Sequence, residues 1–136
     1  EILLENYYKT ICIEARTMAE MLTKDFLSAV SAYAGQIAKD VSTKTALLPE
    51  LQVSGEKALI RKLTLSYDMI SSKTQELLAL ISEVETFADM QSAADFCHRR
   101  ILPKMEELRC AANEAEVLIP DSLLPYPTFD KLLFSV

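Results

Sequence analysis

Apolar residues recur along the first third of the chain at steps of three and four. Leu4, Tyr8, Ile11, Ala15, Met18, Leu22, Phe26, Val30, Tyr33, Ile37 and Val41 form one continuous stripe. That spacing marks one face of an α-helix. The other face carries Glu5, Lys9, Arg16, Glu20 and Lys24, whose opposite charges stand four residues apart and can pair. The pattern predicts a helix over about residues 2–40, roughly 55–60 Å long at the α-helical rise. A second apolar row (Ile2, Leu3, Tyr7, Cys12, Met21 and Leu27) widens the face. Such a helix must be covered from more than one side.

Residues 42–55 interrupt the pattern. Thr43, Thr45, Pro49, Ser54 and Gly55 are turn or cap residues. Leu47, Leu48, Leu51 and Val53 are expected to pin this connection to the bundle. A second helix is predicted over about residues 55–86, with Ser54 as its N-cap. Its stripe is Leu59, Leu63, Tyr67, Ile70, Thr74, Leu77, Ile81 and Val84. Neither Gly nor Pro occurs between Glu56 and Leu102, so the next turn is poorly marked. It is placed near Thr86–Gln91, because one unbroken helix through this region would have no partner surface. The third helix, about residues 92–118, has its stripe at Ala94, Cys97, Ile101, Met105, Leu108, Ala112 and Ala115. Pro103 lies inside it and removes the bond to the Arg99 carbonyl, so a kink or short break is expected near Arg99–Pro103.

The last stretch differs. Pro120, Pro125 and Pro127 exclude a regular helix up to Pro127, after which Thr128 can cap a short one with Phe129, Leu132, Leu133 and Val136 on one face. Pro125, Tyr126, Pro127, Phe129, Leu132, Leu133 and Phe134 make residues 120–136 an apolar tail that must dock, on this bundle or on another domain or subunit. The expected fold is all-α: one antiparallel bundle of three long helices over residues 1–136, with a Pro-rich tail ending in a short helix.

Composition agrees. The 136 residues include only two glycines, too few for the turns of a many-stranded β protein. A net charge of −6 argues against nucleic acid, which needs clustered cations; Arg61-Lys62 and Arg99-Arg100 are isolated pairs that read as solvated helix faces. The longest uncharged stretch, residues 26–38, falls short of a membrane span. No signal peptide is visible. The start at Glu1, without Met, leads us to expect a piece of a longer chain. Cys12, Cys97 and Cys110 are odd in number and lack CxxC spacing, so free thiols in a cytoplasmic protein are expected rather than a zinc site or disulfides.

Candidate chemistry is sparse. His98 is the one histidine, which excludes a two-histidine metal site, and it reads as a surface or kink-capping residue. A phosphotransfer histidine on a helix is followed by Lys three positions on; here Ile101 stands there. Asp95-Phe96-Cys97-His98 has the spacing of a di-iron half-motif with Asp in place of Glu, but occurs once. Glu83/Glu85, Glu106/Glu107 and Glu114/Glu116 do not face each other on a helix. Tyr8, Tyr33 and Tyr67 sit on the stripes and read as core. No phosphate loop or nucleophile elbow is present. No catalytic, cofactor-binding or metal residue is assigned.

Three stretches do carry a resemblance: Leu4-Glu5-Asn6-Tyr7-Tyr8-Lys9-Thr10-Ile11-Cys12-Ile13-Glu14-Ala15-Arg16-Thr17-Met18, Ile101-Leu102-Pro103-Lys104-Met105-Glu106-Glu107-Leu108-Arg109, and Pro125-Tyr126-Pro127-Thr128-Phe129-Asp130-Lys131-Leu132-Leu133-Phe134. In this order they resemble the C-terminal region of type III glutamine synthetase, the large bacterial form. The chain departs from it at Leu124, where the resemblance leads one to expect Trp. The resemblance implies a parent enzyme that joins ammonia to glutamate with ATP and Mg²⁺ or Mn²⁺, in a cytoplasmic homo-oligomer. The parent's catalytic residues lie upstream, and none maps here. It further implies a non-catalytic domain whose partners are the catalytic domain of the same chain and neighbouring subunits. The rival reading is a free-standing helical interaction or sensor module.

Overall fold

The computed structural model describes residues 2–124. Among them there is no strand, and three helical rods pack together as expected. Helices α1 (Ile2–Met21) and α2 (Leu27–Leu47) are joined through a π turn, Leu22–Phe26, into one rod. Helix α3 (Ser54–Val84) returns along it. Helix α4 (Met90–Phe96), a second π turn (Cys97–Ile101) and α5 (Leu102–Glu116) form the third rod. A 3-10 turn, Asp121–Leu123, follows. Helix α3 stands between α2 and α5, while α4 and the second π turn lie on α1. The tail residues Pro125, Tyr126, Pro127, Phe129, Leu132, Leu133 and Phe134, and the short helix expected after Thr128, lie outside the described residues.

The π turn in the first rod follows from the stripe. Met18, Leu22, Phe26 and Val30 are all fully buried although they stand at three successive four-residue steps. In a regular helix each such step drifts by about 40°, so the three together turn the stripe about 120° off the core. A π turn takes up one extra residue, worth about 100°, and restores the face. Its bond runs from the Leu27 N–H to the Leu22 carbonyl.

The second π turn is the break expected near Pro103. Proline offers no N–H and crowds the carbonyl four residues back. The wider turn, with the Leu102 N–H on the Cys97 carbonyl, opens the ladder just before it.

The first rod runs on to Leu47 rather than stopping near residue 40. Thr43 and Thr45 do not break it, because their hydroxyls donate back to the Lys39 carbonyl at 3.0 Å and the Val41 carbonyl at 2.9 Å. Pro49 ends it: the residue before a proline avoids the helical region, and Leu48 has left it at φ −127°, ψ 86°. Of the residues expected to pin part of this connection, Val53 is half-buried and the three leucines are not. Leu47 is 78% exposed, and Leu48 and Leu51 are also exposed. Ser54 is not the N-cap either. Val53 occupies that position without a side-chain cap bond, in the left-handed region at φ 46°. A β-branched side chain is strained there.

The unmarked turn after α3 has three holds. Asp89 caps α4 by accepting from the Ser92 N–H at 3.0 Å and the Ser92 hydroxyl at 2.7 Å. Phe87 meets Phe96 edge to face, with ring centroids 5.2 Å apart. Arg16 on α1 pairs with Glu85. The third rod therefore starts at Met90, two residues before the expected position, and its helix ends at Glu116.

The core follows the predicted stripes. Leu63, Ile70, Leu77, Ile81 and Val84 of α3 meet Leu22, Phe26 and Val30 of the first rod and Ile101, Leu108 and Ala112 of the third. Each large side chain so buried contributes about 1.5–3 kcal/mol relative to exposure. Thr74, the one polar residue on the α3 stripe, is buried with its hydroxyl on the Ile70 carbonyl at 2.7 Å. The second apolar row is only partly used. Cys12 and Leu27 are buried, but Ile2 and Leu3 are exposed, at 74% and 83%.

Candidate functional site

His98 lies on the exposed side of the second π turn, 3.5 Å from the Tyr7 hydroxyl through Nδ1. Its neighbours in sequence, Arg99 and Arg100, are exposed, and Arg100 lies over the Phe96 ring at 5.6 Å. Among the described residues no carboxylate is seen bonded to the imidazole to orient it as a base.

Glu85, Glu106 and Glu107 of the acidic pairs hold lysines or arginines. Glu85 holds Arg16 and Glu106 holds Arg109. Glu107 accepts from Lys104 at 2.9 Å and from Lys73 at 3.3 Å. Lys104 also reaches Glu76 at 2.5 Å. This ladder clamps α5 to α3. The bonds to Glu76 and Glu107 raise the Lys104 pKa above its ordinary value, and the bonds from Lys104 and Lys73 hold the Glu107 carboxyl below its own. The pattern is that of a structural ion-pair network, not of a general acid and base held apart in affinity.

Cys12 and Cys97 are both buried and touch across α1 and the second π turn, while Cys110 is exposed on α5. Burial pushes the Cys12 thiol up, and the Cys97 thiol up to about 12. Such thiols are poor nucleophiles. Tyr8, Tyr33 and Tyr67 are half-buried against the core, and burial raises the Tyr8 hydroxyl's pKa.

Among the described residues no three His, Cys, Asp or Glu side chains converge. A shallow recess of about 160 Å³ between α2 and α3, lined by Val30, Ala34, Leu63 and Tyr67, carries no charged side chain to grip a nucleotide. No helix of the described residues is long and apolar enough to cross a membrane.

What remains is surface. Ile2, Leu3 and Tyr7 are exposed at the start of α1, and Leu47, Leu48 and Leu51 at the tip of the α2–α3 hairpin. Ile13, Leu65, Met69 and Val117 are exposed elsewhere along the rods. The alternation of stripe and charge could not reveal the two end groups, because both read as continuations of the buried pattern. The described residues define an all-α bundle domain.

The comparisons with known proteins say which. Residues 1–45 match the family described as glutamine synthetase C-terminal domain. The chain is 35% identical over its whole length to a glutamine synthetase of Butyrivibrio fibrisolvens, of which it covers 19%. It is 30% identical, over 98% of its length, to a type-3 glutamine synthetase of Dictyostelium discoideum, again covering 19%. The chain thus spans about a fifth of the length of these relatives. The chain is thus similar over residues 1–45 to the glutamine synthetase C-terminal domain, and along its length to part of whole glutamine synthetases. No solved structure matches it at a significant level.

Proposed function

We propose that this chain is the non-catalytic C-terminal domain of a longer glutamine synthetase, and that it supports the enzyme's structure and oligomer assembly. The observation that carries the reading is the similarity along the whole chain to enzymes five times its length, in a segment whose side chains go into packing and ion pairs. The parent joins ammonia to glutamate with ATP and a divalent metal, both held by residues outside this segment, and works in the cytoplasm.

The first rod is the buttressed element. Its exposed start, at Ile2, Leu3 and Tyr7, faces the catalytic domain, and the hairpin tip at Leu47, Leu48 and Leu51 contacts that domain or a neighbouring subunit. The tail residues Pro125, Tyr126, Pro127, Phe129, Leu132, Leu133 and Phe134 form a docking segment.

The test is truncation of the full-length enzyme before Pro120. Sedimentation is expected to show loss of the oligomer, or thermal inactivation at lower temperature. Retention of both oligomer and stability overturns the supporting role. The isolated 136-residue chain is expected to form no glutamine from glutamate, ammonia and ATP.

A further inference from the structure

Exposed apolar side chains gather along one seam of the bundle. Leu65 and Met69 of α3 are 67% and 51% exposed. Met69 lines an open groove of about 350 Å³ between α3 and α5, with Lys73 beside it and Glu107, Cys110, Ala111 and Glu114 opposite. The spacing puts Lys62, Leu65, Met69 and Lys73 on one side of α3, and Glu107, Cys110, Glu114 and Val117 on one side of α5. Val117 is 84% exposed. A strip that is apolar and basic thus lies beside a strip that is apolar and acidic. Apolar side chains exposed singly need no explanation, but several along one groove mark a contact surface.

Two ion pairs fix the register of the strips. Lys73 reaches Glu107 at 3.3 Å and Lys104 reaches Glu76 at 2.5 Å, so α3 and α5 run in opposite directions. From the first of these pairs, Lys62 lies eleven residues along α3 and Glu114 seven residues along α5, toward the same end of the bundle. Their levels differ by four residues, about 6 Å. Among the described residues no ion pair is seen at Lys62 or at Glu114.

The two strips complement each other, and therefore a second copy of this chain. A two-fold axis parallel to the rods lays each α3 over the partner's α5 at the same level. Lys62 then comes within a lysine's reach of the partner's Glu114. Met69 meets Cys110 and Ala111, and Leu65 meets Val117. An axis across the rods would instead set lysine on lysine and glutamate on glutamate. A partner of uniform charge would suit one strip and be repelled by the other.

We propose that this face of α3 and α5 is a homodimer interface, in which two copies pack about a two-fold axis along the rods and Lys62 pairs with the partner's Glu114. This rests on the reading that the domain serves oligomer assembly, and names the surface and the partner.

The test is sedimentation equilibrium of the 136-residue chain over a concentration series up to about 1 mM, where even a weak dimer is populated. The expected result is a monomer–dimer equilibrium. Met69→Asp, at a position exposed in the monomer, is expected to weaken it by about tenfold or more, with the helical circular dichroism unchanged. Lys62→Glu and Glu114→Lys singly are expected to weaken it about tenfold, because each contact occurs twice in the dimer. The double variant is expected to come within about threefold of the native chain. A monomer at every concentration overturns the inference; that result follows if the catalytic domain or another part of the same chain covers the groove. A dimer that none of the variants weakens, or charge losses that add in the double variant, overturns the assigned face. A monomeric chain whose full-length enzyme still loses its oligomer on truncation before Pro120 defeats this inference and leaves the supporting role standing.

Discussion

Deletion of Asp25 tests the reasoning behind the first rod. Removing one residue from the middle of a helix turns everything beyond it by about 100°. At most positions in residues 2–47 that rotation uncouples one half of the stripe from the core. At the first π turn the opposite holds. Asp25 is exposed, and without it the steps Met18–Leu22–Phe26–Val30 become four, three and four. The five-residue turn then closes as an ordinary helical turn, and the stripe drifts by only about 20°. The ion pair of Lys24 with Glu20, at 3.2 Å, lies before the deletion and is kept. Deleting exposed Glu14 is the control. It forces Ile11 and Cys12, now 6% and 4% exposed, out of the core together with half-buried Tyr8. Losing an isoleucine-sized contact and a smaller thiol costs about 3 kcal/mol, a large share of the 5–15 kcal/mol typical of a domain. Urea unfolding followed by circular dichroism measures both. The deletion of Asp25 is expected within about 1 kcal/mol of the native chain, and that of Glu14 lower by about 3 kcal/mol or more. Equal losses from the two deletions would refute the account of the π turn.

Other outcomes follow from single residues. Val53→Asn is expected to raise stability by about 1 kcal/mol, because asparagine tolerates the left-handed region that strains valine; a lower unfolding midpoint contradicts this. Gly35→Ala, inside α2 with open space where the Cβ would go, is expected to gain about 0.5–1 kcal/mol in the same assay. In the native chain a thiol reagent such as DTNB is expected to titrate Cys110 alone, with Cys12 and Cys97 reacting only in denaturant; three fast thiols would contradict their burial. The Glu107–Lys104 clamp predicts a pH window. Glu107 titrates below its ordinary 4.5 in the fold, so its contribution is complete above that value and is lost as pH falls through the depressed one. Lys104 titrates above 10.5, so its contribution is complete below that value and is lost as pH rises through the raised one. Lys104→Met is expected to flatten both edges of the stability profile, and added salt to weaken the native clamp.

The stripes made the rods legible because burial on a helix leaves a periodic trace in sequence. The trace held more than a straight helix: three consecutive four-residue steps after Met18 are the mark of an extra residue, and they mislead only when averaged into a period near 3.6. Pro103 announced its break through its missing N–H. The tip of the hairpin was less readable. Leu47, Leu48 and Leu51 look like core residues, yet a leucine's type does not say which neighbour covers it, and these three are exposed. Val53 gave no sign of its left-handed backbone, which is set by how the chain turns between Pro49 and α3. The turn before Met90 depends on Phe87 meeting Phe96 and on Glu85 meeting Arg16, which is distant in sequence.

The central claim is that this domain supports a glutamine synthetase without entering its chemistry. The direct measurement is made in the full-length enzyme carrying Leu77→Ala, a fully buried position in α3 whose truncation costs about 2–5 kcal/mol. Oligomer mass, kcat, and KM for ATP and glutamate are recorded across a temperature series. The account predicts that oligomer and activity are lost together at a lower temperature, while kcat and both KM values of the intact oligomer match the parent enzyme. A changed kcat or KM in an oligomer of full mass would contradict it.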